Sequence, residues 1–425
     1  MGNITLIKND IFNKKYDGVL ACLYSDVESA RTRYISALDE FQRLFGDDRE
    51  VRIFSAPGRT EICGNHTDHQ HGRVLAAGIE LDVIAIVSEN NDNKIKIKSK
   101  GYDYEEVDLT DLSEKSEEAG KSRALVRGMA AAFKNKGKNL AGFDAYTESR
   151  VLKGSGMSSS AAYEVLIGTV INGLFNESAE SAITIAKMAQ YAENVYFGKP
   201  CGLMDQMASS VGGMIYIDFS DTENPYVEKI NYNLADYGLS LCIVDTGGSH
   251  ADLTDDYADI ISEMKSAASV FGKKYLGEIS KTDFYNNLSA VREKAGDRGV
   301  LRAMHFLNEN ERVLKQKSAL KNNLTEEFLG LINESGDSSY TLLQNLYSAK
   351  NPKNQPLPLA IAATKTFLKE QGAARVHGGG FAGTIQAFVP NCMLEDYKKY
   401  IEKIFGKGSC HVLKIRNFGG IEIKS

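Results

Sequence analysis

The chain has 425 residues, 43% hydrophobic and 25% charged, a globular composition too long for one compact core, so two domains are expected. A formal charge of −6 argues against a nucleic-acid surface, and no uncharged apolar run approaches the ~18 residues of a membrane span. Six cysteines without a CxxC pair read as reduced thiols, and the opening MGNITLIKND has no signal-peptide core and, with Leu6 at its sixth position, misses the myristoylation pattern; a cytoplasmic protein is expected.

Residues 1 to about 48 carry helical spacing, with Tyr34, Leu38, Phe41, Leu44 and Phe45 on one face. Strands follow at VRIFSA (51–56), VLAAGIELDVIAIV (74–87) and the alternating KIKIKS (94–99). A helix is predicted from about Arg123 to Lys136, then a strand near 143–149, a loop VLKGSGMSSSAA (151–162) and the apolar run YEVLIGTVINGLF. Another helix covers roughly 179–197, ended by Gly198, Lys199 and Pro200. After MIYIDFS (214–220) the polar, proline-bearing DTENPYVEKIN reads as a linker, giving domains 1–220 and 221–425. Beyond it lie a strand LSLCIVDT, helical stretches between about 253 and 349, a loop at NPKNQPLP, and strands TIQAFV (384–389), VLKIR (412–416) and IEIK (421–424). Strands and helices alternate without a regular βαβ period and without an internal repeat, which suggests an α+β fold.

Three segments carry chemistry. Gly154, Ser155, Gly156, Met157, Ser158, Ser159 and Ser160 precede an alanine-rich helical segment, so backbone N–H groups and a helix N-terminus can converge on an anion, with Lys153 beside them; a flexible loop with a serine cap is the plainer reading. It is not a Walker A loop. The chain's GKS is Gly120-Lys121-Ser122, and Lys115 stands where that motif needs glycine.

The stretch Ala56–Gly72, APGRTEICGNHTDHQHG, holds His66, His69 and His71 with Asp68 among them. It can be read as a zinc or iron cluster of a metal-dependent hydrolase, as a polar sugar-binding loop, or as a solvated turn. PCGLMDQMASS sets Asp205 among apolar Leu203, Met204 and Met207, with Glu193 on the preceding predicted helix; separate carboxylates for a metal and a base are what phosphoryl transfer needs. A late loop, Gly378-Gly379-Gly380-Phe381-Ala382-Gly383 after Arg375, Val376 and His377, marks a close backbone approach or a tight hairpin.

The order of these segments resembles the GHMP kinase superfamily and, within it, the galactokinases. APGRTEICGNHTDHQHGRVL, KGSGMSSSAAYEV, AENVYFGKPCGLMDQMASSVGG, HADLTDDY (250–257) and GGGFAGT resemble that family's segments in order, from about residue 40 to 390. The resemblance implies a two-domain α+β GHMP fold with its active site in the interdomain cleft. It implies a sugar 1-kinase using ATP and Mg²⁺, with small-molecule partners and a monomeric or weakly oligomeric state. In that assignment Asp205 takes or orients the sugar hydroxyl proton and Arg59 steadies it and the moving charge. Residues Gly154, Ser155, Gly156, Met157, Ser158, Ser159 and Ser160 wrap the phosphates, and Ser160 and Glu193 hold Mg²⁺. Asn65, His66, Asp68, Gly202 and Tyr257 contact the sugar.

The sequence departs from the family at the sugar end. Asn65 replaces a glutamate, His69 a tyrosine, Thr60 and Glu61 the usual residues after the arginine, His377 a threonine and Ala382 a glycine. A neutral Asn65 keeps a donor and an acceptor, so the departures bear on which sugar is bound rather than on the transfer. Another hexose, an amino sugar, or a non-catalytic sensor on the same fold are the alternatives at this stage.

Overall fold

The computed structural model describes residues 2–151, 156–248 and 253–425. Among these residues no helix is long and apolar enough to cross a membrane.

The N-terminal segment forms three helices, Ile4–Phe12, Asp17–Leu23 and Val27–Phe45. The last begins where the Asp26 carboxylate accepts from the Ser29 backbone N–H at 2.9 Å. Its apolar stripe, Tyr34, Leu38 and Phe41, packs with Ile4, Ile7 and Leu20 onto Ile53, Ile84, Ile86 and Tyr146 of the sheet beneath. Among the described residues that sheet has nine strands. Gly2–Asn3, Glu50–Cys63, Arg73–Glu89, Phe143–Ser149, Lys94–Ser99 and Tyr104–Asp108 follow one another across it, and Ile421–Ile423, Met214–Asp218 and Tyr226–Ile230 join at its branches. The long Arg73–Glu89 strand pairs with Glu50–Cys63 on one edge and with two strands on the other, Met214–Asp218 along its first residues and Phe143–Ser149 along its last.

A second, four-stranded antiparallel sheet orders Ala373–His377, Thr384–Pro390, Leu239–Asp245 and Cys410–Leu413. Pro356–Leu368 and Leu394–Phe405 cover one face through Leu357, Ile361, Leu368, Tyr397 and Ile401. Its other face contributes Leu241, Ile243 and Phe388 to a core shared with Phe54, Leu75, Val165 and Phe328, so one apolar cluster runs between the two sheets.

The structure differs from the sequence reading in four local ways. The segment read as a polar linker contains the strand Tyr226–Ile230, paired antiparallel to Met214–Asp218, because YVEKI alternates well enough for an edge. Pro356 of the segment read as a loop is the first residue of a helix, where a missing N–H costs nothing. The strand expected at 51–56 continues to Cys63 through register shifts at Pro57/Arg59 and Glu61/Cys63. The strand expected at 412–416 is Cys410–Leu413, followed by an isolated bridge between Ile415 and Ile79.

The termini are tied to the first sheet by Asp82, which is fully buried. Its carboxylate accepts from Arg33 Nη1 at 2.5 Å, the Tyr24 hydroxyl at 2.5 Å, Arg416 Nη1 at 3.1 Å and the Ser55 hydroxyl. Burial alone would raise this carboxyl; the two guanidinium groups and the hydroxyl donors outweigh it and hold Asp82 below the usual range. Asp82→Ala strands two buried arginines, so a loss of about 3–5 kcal/mol is expected in urea unfolding. A loss under about 1 kcal/mol would show that the network is not what joins the N-terminal helices and the C-terminal tail to the sheet.

Candidate active site

The site is assembled where the irregular part of the Glu50–Cys63 strand meets two helix starts. Gly58 lies so close to the following loop that a β-carbon there would sit 3.0 Å from both the Met157 carbonyl oxygen and Val151 Cγ1. The register shifts between Pro57, opposite Asp82, and Arg59, opposite Gly78, and this offset sets the direction of the Arg59 side chain. The Arg59 backbone N–H donates to Met157 O at 3.2 Å, and its side chain, 8% exposed, reaches toward Asp205. Arg59 Nε donates to Asp205 Oδ1 at 2.7 Å, and Nη1 donates to the Gly156 carbonyl.

Ser158 precedes the helix Ser159–Phe175 in a left-handed conformation (φ 53°) and does not cap it. Its hydroxyl donates instead to Asp205 Oδ2. Asp205 opens the helix Met204–Val211, where the N-terminal dipole favours a carboxylate. Desolvation pushes the Asp205 carboxyl up, but Arg59, Ser158 and the charge of Lys199 more than offset it, and the group stays ionised below its ordinary range.

Glu193 stands on the wide turn Ala192–Phe197 that ends the helix starting at Ala182. It is 2% exposed. Its Oε1 accepts from the Ser160 hydroxyl at 3.1 Å and lies 3.4 Å from Lys199 Nζ, while Oε2 accepts from Gln206 Nε2 at 2.6 Å. Behind them is Glu164, fully buried, which accepts from the same Gln206 nitrogen at 3.2 Å. Burial and the neighbouring Glu193 charge raise its carboxyl well above the usual range, so it is a neutral acid. Ser160 and Glu193 thus offer oxygen donors of the kind a hard cation takes.

Asp68 lies against Gly202: a β-carbon at Gly202 would fall 2.1 Å from Asp68 Oδ2. Its carboxyl is raised to about 6, first by desolvation and then by the charges of Asp205 and Glu61, against the His69 backbone N–H and Arg59. Arg59, Gly156, Ser158, Asp205, Ser160, Glu193, Asp68 and Gly202 are therefore brought together, and Met157, fully buried, anchors its loop in the core. Ser159 begins the helix there. Gly154 and Ser155, with Lys153 and the His250 end of the HADLTDDY stretch, lie outside the described residues.

Asn65, His66 and Tyr257 converge on the triple-glycine loop. Asn65 Nδ2 donates to Gly378 O at 2.7 Å, His66 Nε2 to Gly379 O at 2.9 Å, and the Tyr257 hydroxyl to Gly380 O at 2.8 Å. Asn65 is fully buried, and its side chain also donates to Glu61 at 3.0 Å and accepts from Asn345 at 2.8 Å and Ser339 at 3.4 Å. That uses both donors and both acceptor positions of the amide, so here Asn65 is a brace with nothing left for a ligand. The histidines do not form a metal cluster: His69 Nε2 meets His66 Nδ1 at 3.2 Å, whereas His71 stacks on Tyr275 at 3.8 Å between ring centroids. Burial lowers His66 and brings His69 to about 3, leaving both rings neutral. Among the described residues no group of three or more His, Cys, Asp or Glu could hold a metal ion.

Sequence reasoning missed Lys199 as a charged group of the site, the Gln206–Glu164 support behind Glu193, and the Glu61–Arg375 ion pair (2.6 Å) beside Asn65. Gln206 stands next to Asp205 in the motif and was open to notice; Arg375 meets Glu61 only across the fold.

Comparison with known proteins fits this geometry. A family model of the galactokinase galactose-binding signature matches residues 39–89, and one of the GHMP kinases N terminal domain matches residues 124–213. The galactokinase of Lactobacillus helveticus is 30% identical over 368 residues, covering 84% of this chain and 91% of that protein. The galactokinase of Streptomyces coelicolor is 29% identical over 371 residues, covering 86% and 92%. In fold, the chain is similar to Lactococcus lactis galactokinase crystallised with galactose, with a TM-score of 0.78 and 24% identity over 91% of this chain and 99% of that one. A Methanococcus jannaschii mevalonate kinase follows at 0.61 and 15%, over 86% and 98%.

Asn65→Asp tests the brace. The substitution keeps shape but turns an oxygen toward Glu61 and the Gly378 carbonyl, so a loss of about 3 kcal/mol is expected in urea unfolding at pH 7. A midpoint unchanged from wild type would mean the amide is not bound as described.

Proposed function

We infer the course of the reaction from one premise: the chain belongs to the galactokinase family and is an ATP-dependent sugar kinase. D-Galactose is the acceptor in this reading, and galactose 1-phosphate and ADP are the products. The match of residues 39–89 to a galactose-binding signature and the names of the relatives support that choice of sugar.

The observation that carries the mechanism is the ionised Asp205, fixed between Arg59 and Ser158 beside the start of the Ser159–Phe175 helix. Asp205 accepts a hydrogen bond from the sugar C1 hydroxyl and aims its oxygen at the γ-phosphorus. The O–P bond forms as the bond between the γ-phosphorus and the β–γ bridging oxygen breaks, and ADP leaves with that electron pair. The hydroxyl proton passes to Asp205. A carboxylate held below its ordinary range is a weak base, so it takes the proton late, when the hydroxyl oxygen already bears positive charge. Arg59 keeps Asp205 charged beforehand and stabilises the charge spread over the phosphoryl oxygens. The backbone around Gly156–Ser160 and the helix N-terminus receive the phosphates.

Ser160 and Glu193 would hold Mg²⁺, and their oxygen donors, braced by Gln206, support the assignment; when bound, the ion supplies charge neutralisation on the phosphate oxygens. Asp68 and His66 are the sugar contacts retained in this reading, with Gly202 and Tyr257 shaping the site around them. Asn65 supports the glycine loop. The two-domain division is kept in the proposal, with the boundary expected near 220 moved past the strand Tyr226–Ile230 and the C-terminal Ile421–Ile423 returning to the first sheet.

Asp205→Asn is expected to lower kcat by about 10²–10⁴-fold with Mg·ATP and D-galactose while leaving both KM values within a few-fold, measured by coupled ADP release. A loss below tenfold would remove Asp205 from the proton-transfer role. Transfer to another sugar in a panel, and not to galactose, would overturn the substrate and keep the mechanism. The pH profile gives a second check. Asp68 accepts hydroxyl hydrogen bonds on both oxygens only when ionised, and its carboxyl sits at about 6. The sugar KM should therefore rise as pH falls through about 6 and level off above it. Asp68→Asn should abolish that dependence; a profile that stays unchanged would take Asp68 out of the sugar site.

A further inference from the structure

Lys199 follows the turn that closes the Glu193 segment, and no step above uses it. Its side chain is 64% exposed, and its Nζ lies 3.4 Å from Glu193 Oε1, longer than the 2.7–2.9 Å of a tight charge-assisted hydrogen bond. Glu193 is already supported by Ser160 and Gln206 and does not need this contact to keep its place. Besides the buried Glu164 behind it, the Lys199 charge is felt by Asp205, whose two oxygens are taken by Arg59 and Ser158. Lys199 is thus a loosely tethered ammonium at the mouth of the gap between Glu193 and Asp205. With the sugar hydroxyl at Asp205 and the metal at Glu193, as in the reading above, the terminal phosphate of a bound triphosphate would lie between these two carboxylates. Its several negative charges compete for Lys199 against the single carboxylate of Glu193, and a four-carbon stem lets the ammonium follow them.

We propose that Lys199 is a catalytic residue, whose ammonium leaves Glu193 when the nucleotide binds and pairs with the non-bridging oxygens of the phosphoryl group in transfer. This rests on the kinase reading above. No atom is gained or lost by Lys199: the γ-phosphoryl group moves from ATP to the sugar oxygen as ADP leaves, the proton goes to Asp205, and the ammonium keeps its three protons throughout. Arg59 approaches that group from the strand side of the cleft and Lys199 from the helix side, so charge is met from two directions.

The test uses the full chain and the variants Lys199→Met and Lys199→Arg, each first checked for an unchanged thermal midpoint. In steady state with Mg·ATP and galactose, Lys199→Met should lose about 10²-fold in kcat with the sugar KM within about twofold, and Lys199→Arg should recover most of the loss. In EDTA, without metal or sugar, calorimetry with inorganic tripolyphosphate should show affinity falling about fivefold in Lys199→Met and preserved in Lys199→Arg. A Lys199→Met enzyme with wild-type kcat overturns the proposal, whether or not tripolyphosphate binding has weakened. If the wild-type chain transfers phosphate to no sugar, the kinase reading fails; unchanged tripolyphosphate affinity in Lys199→Met would then overturn the phosphate contact as well.

Discussion

The Arg59–Asp205 pair is the contact on which the cleft depends. It joins the strand Glu50–Cys63 to the start of the helix Met204–Val211, and the second arm of the same guanidinium fixes the Gly156 carbonyl. Burying Asp205 without this partner would favour its neutral form, which can neither orient a hydroxyl as an acceptor nor take its proton. Burying Arg59 without Asp205 would leave a cation in the core with a single carbonyl to bind. Each makes the other tolerable, and the geometry that results is the geometry the reaction uses. The register shift at Pro57/Arg59 follows from the same demand, because a regular ladder would keep Arg59 within the sheet alternation instead of sending it across the cleft.

A second set of bonds does for the triple-glycine loop what Arg59 does for the phosphate loop. The carbonyls of Gly378, Gly379 and Gly380 are caught by Asn65, by His66 together with Asn345, and by Tyr257. Beneath them Glu309, fully buried, accepts from the Gly64 backbone at 3.1 Å, Cys63 Sγ at 3.0 Å and the Ser335 hydroxyl at 2.6 Å. Desolvation would raise that carboxylate, but His305, then Arg312 and Arg375, more than cancel it and hold the group well below its usual range. The residues between Glu61 and Asn65 are therefore bound from below by Glu309 and from above by Asn345 and Gly378. A β-carbon on Gly378 would lie 3.8 Å from Gly156 Cα, so the two glycine loops approach each other directly. The sugar end and the phosphate end of the cleft share one polar framework.

Much of this was legible in the sequence because short-range signals happened to coincide with the chemistry. Gly58-Arg59, the serine-rich run before an alanine-rich helix and Asp205 in its apolar frame each announce a local conformation, and their order announces the family. What could not be read was pairing at long range. Asn65 reads in the sequence as a sugar contact with a donor and an acceptor, because a motif shows the residue and not its saturation; a partner that fills it, Asn345, is 280 positions away. Asp82 and Glu309 belong to no motif, yet each gathers donors from distant parts of the chain. The strand Tyr226–Ile230 was lost to a rule that reads proline and polarity as a linker, although an edge strand needs only a partner on one side.

These contrasts divide the cleft by rigidity. Asp68, His66 and Asp205 are held by buried donors and by groups whose own conformations are fixed, so the acceptor side is preorganised before any ligand arrives. Lys199 is the opposite kind of group, exposed, long and bound at 3.4 Å to a carboxylate that has better partners. The asymmetry suits the two substrates. A neutral sugar offers little long-range attraction and must find its hydrogen-bonding groups already in place, because every side chain ordered on binding subtracts from a modest affinity. A polyphosphate carries enough charge to recruit a mobile cation and to repay its ordering. A site rigid toward the sugar and adjustable toward the nucleotide is what a kinase needs if it is to be selective for a hydroxyl by shape and to reserve its electrostatic reach for the group that moves.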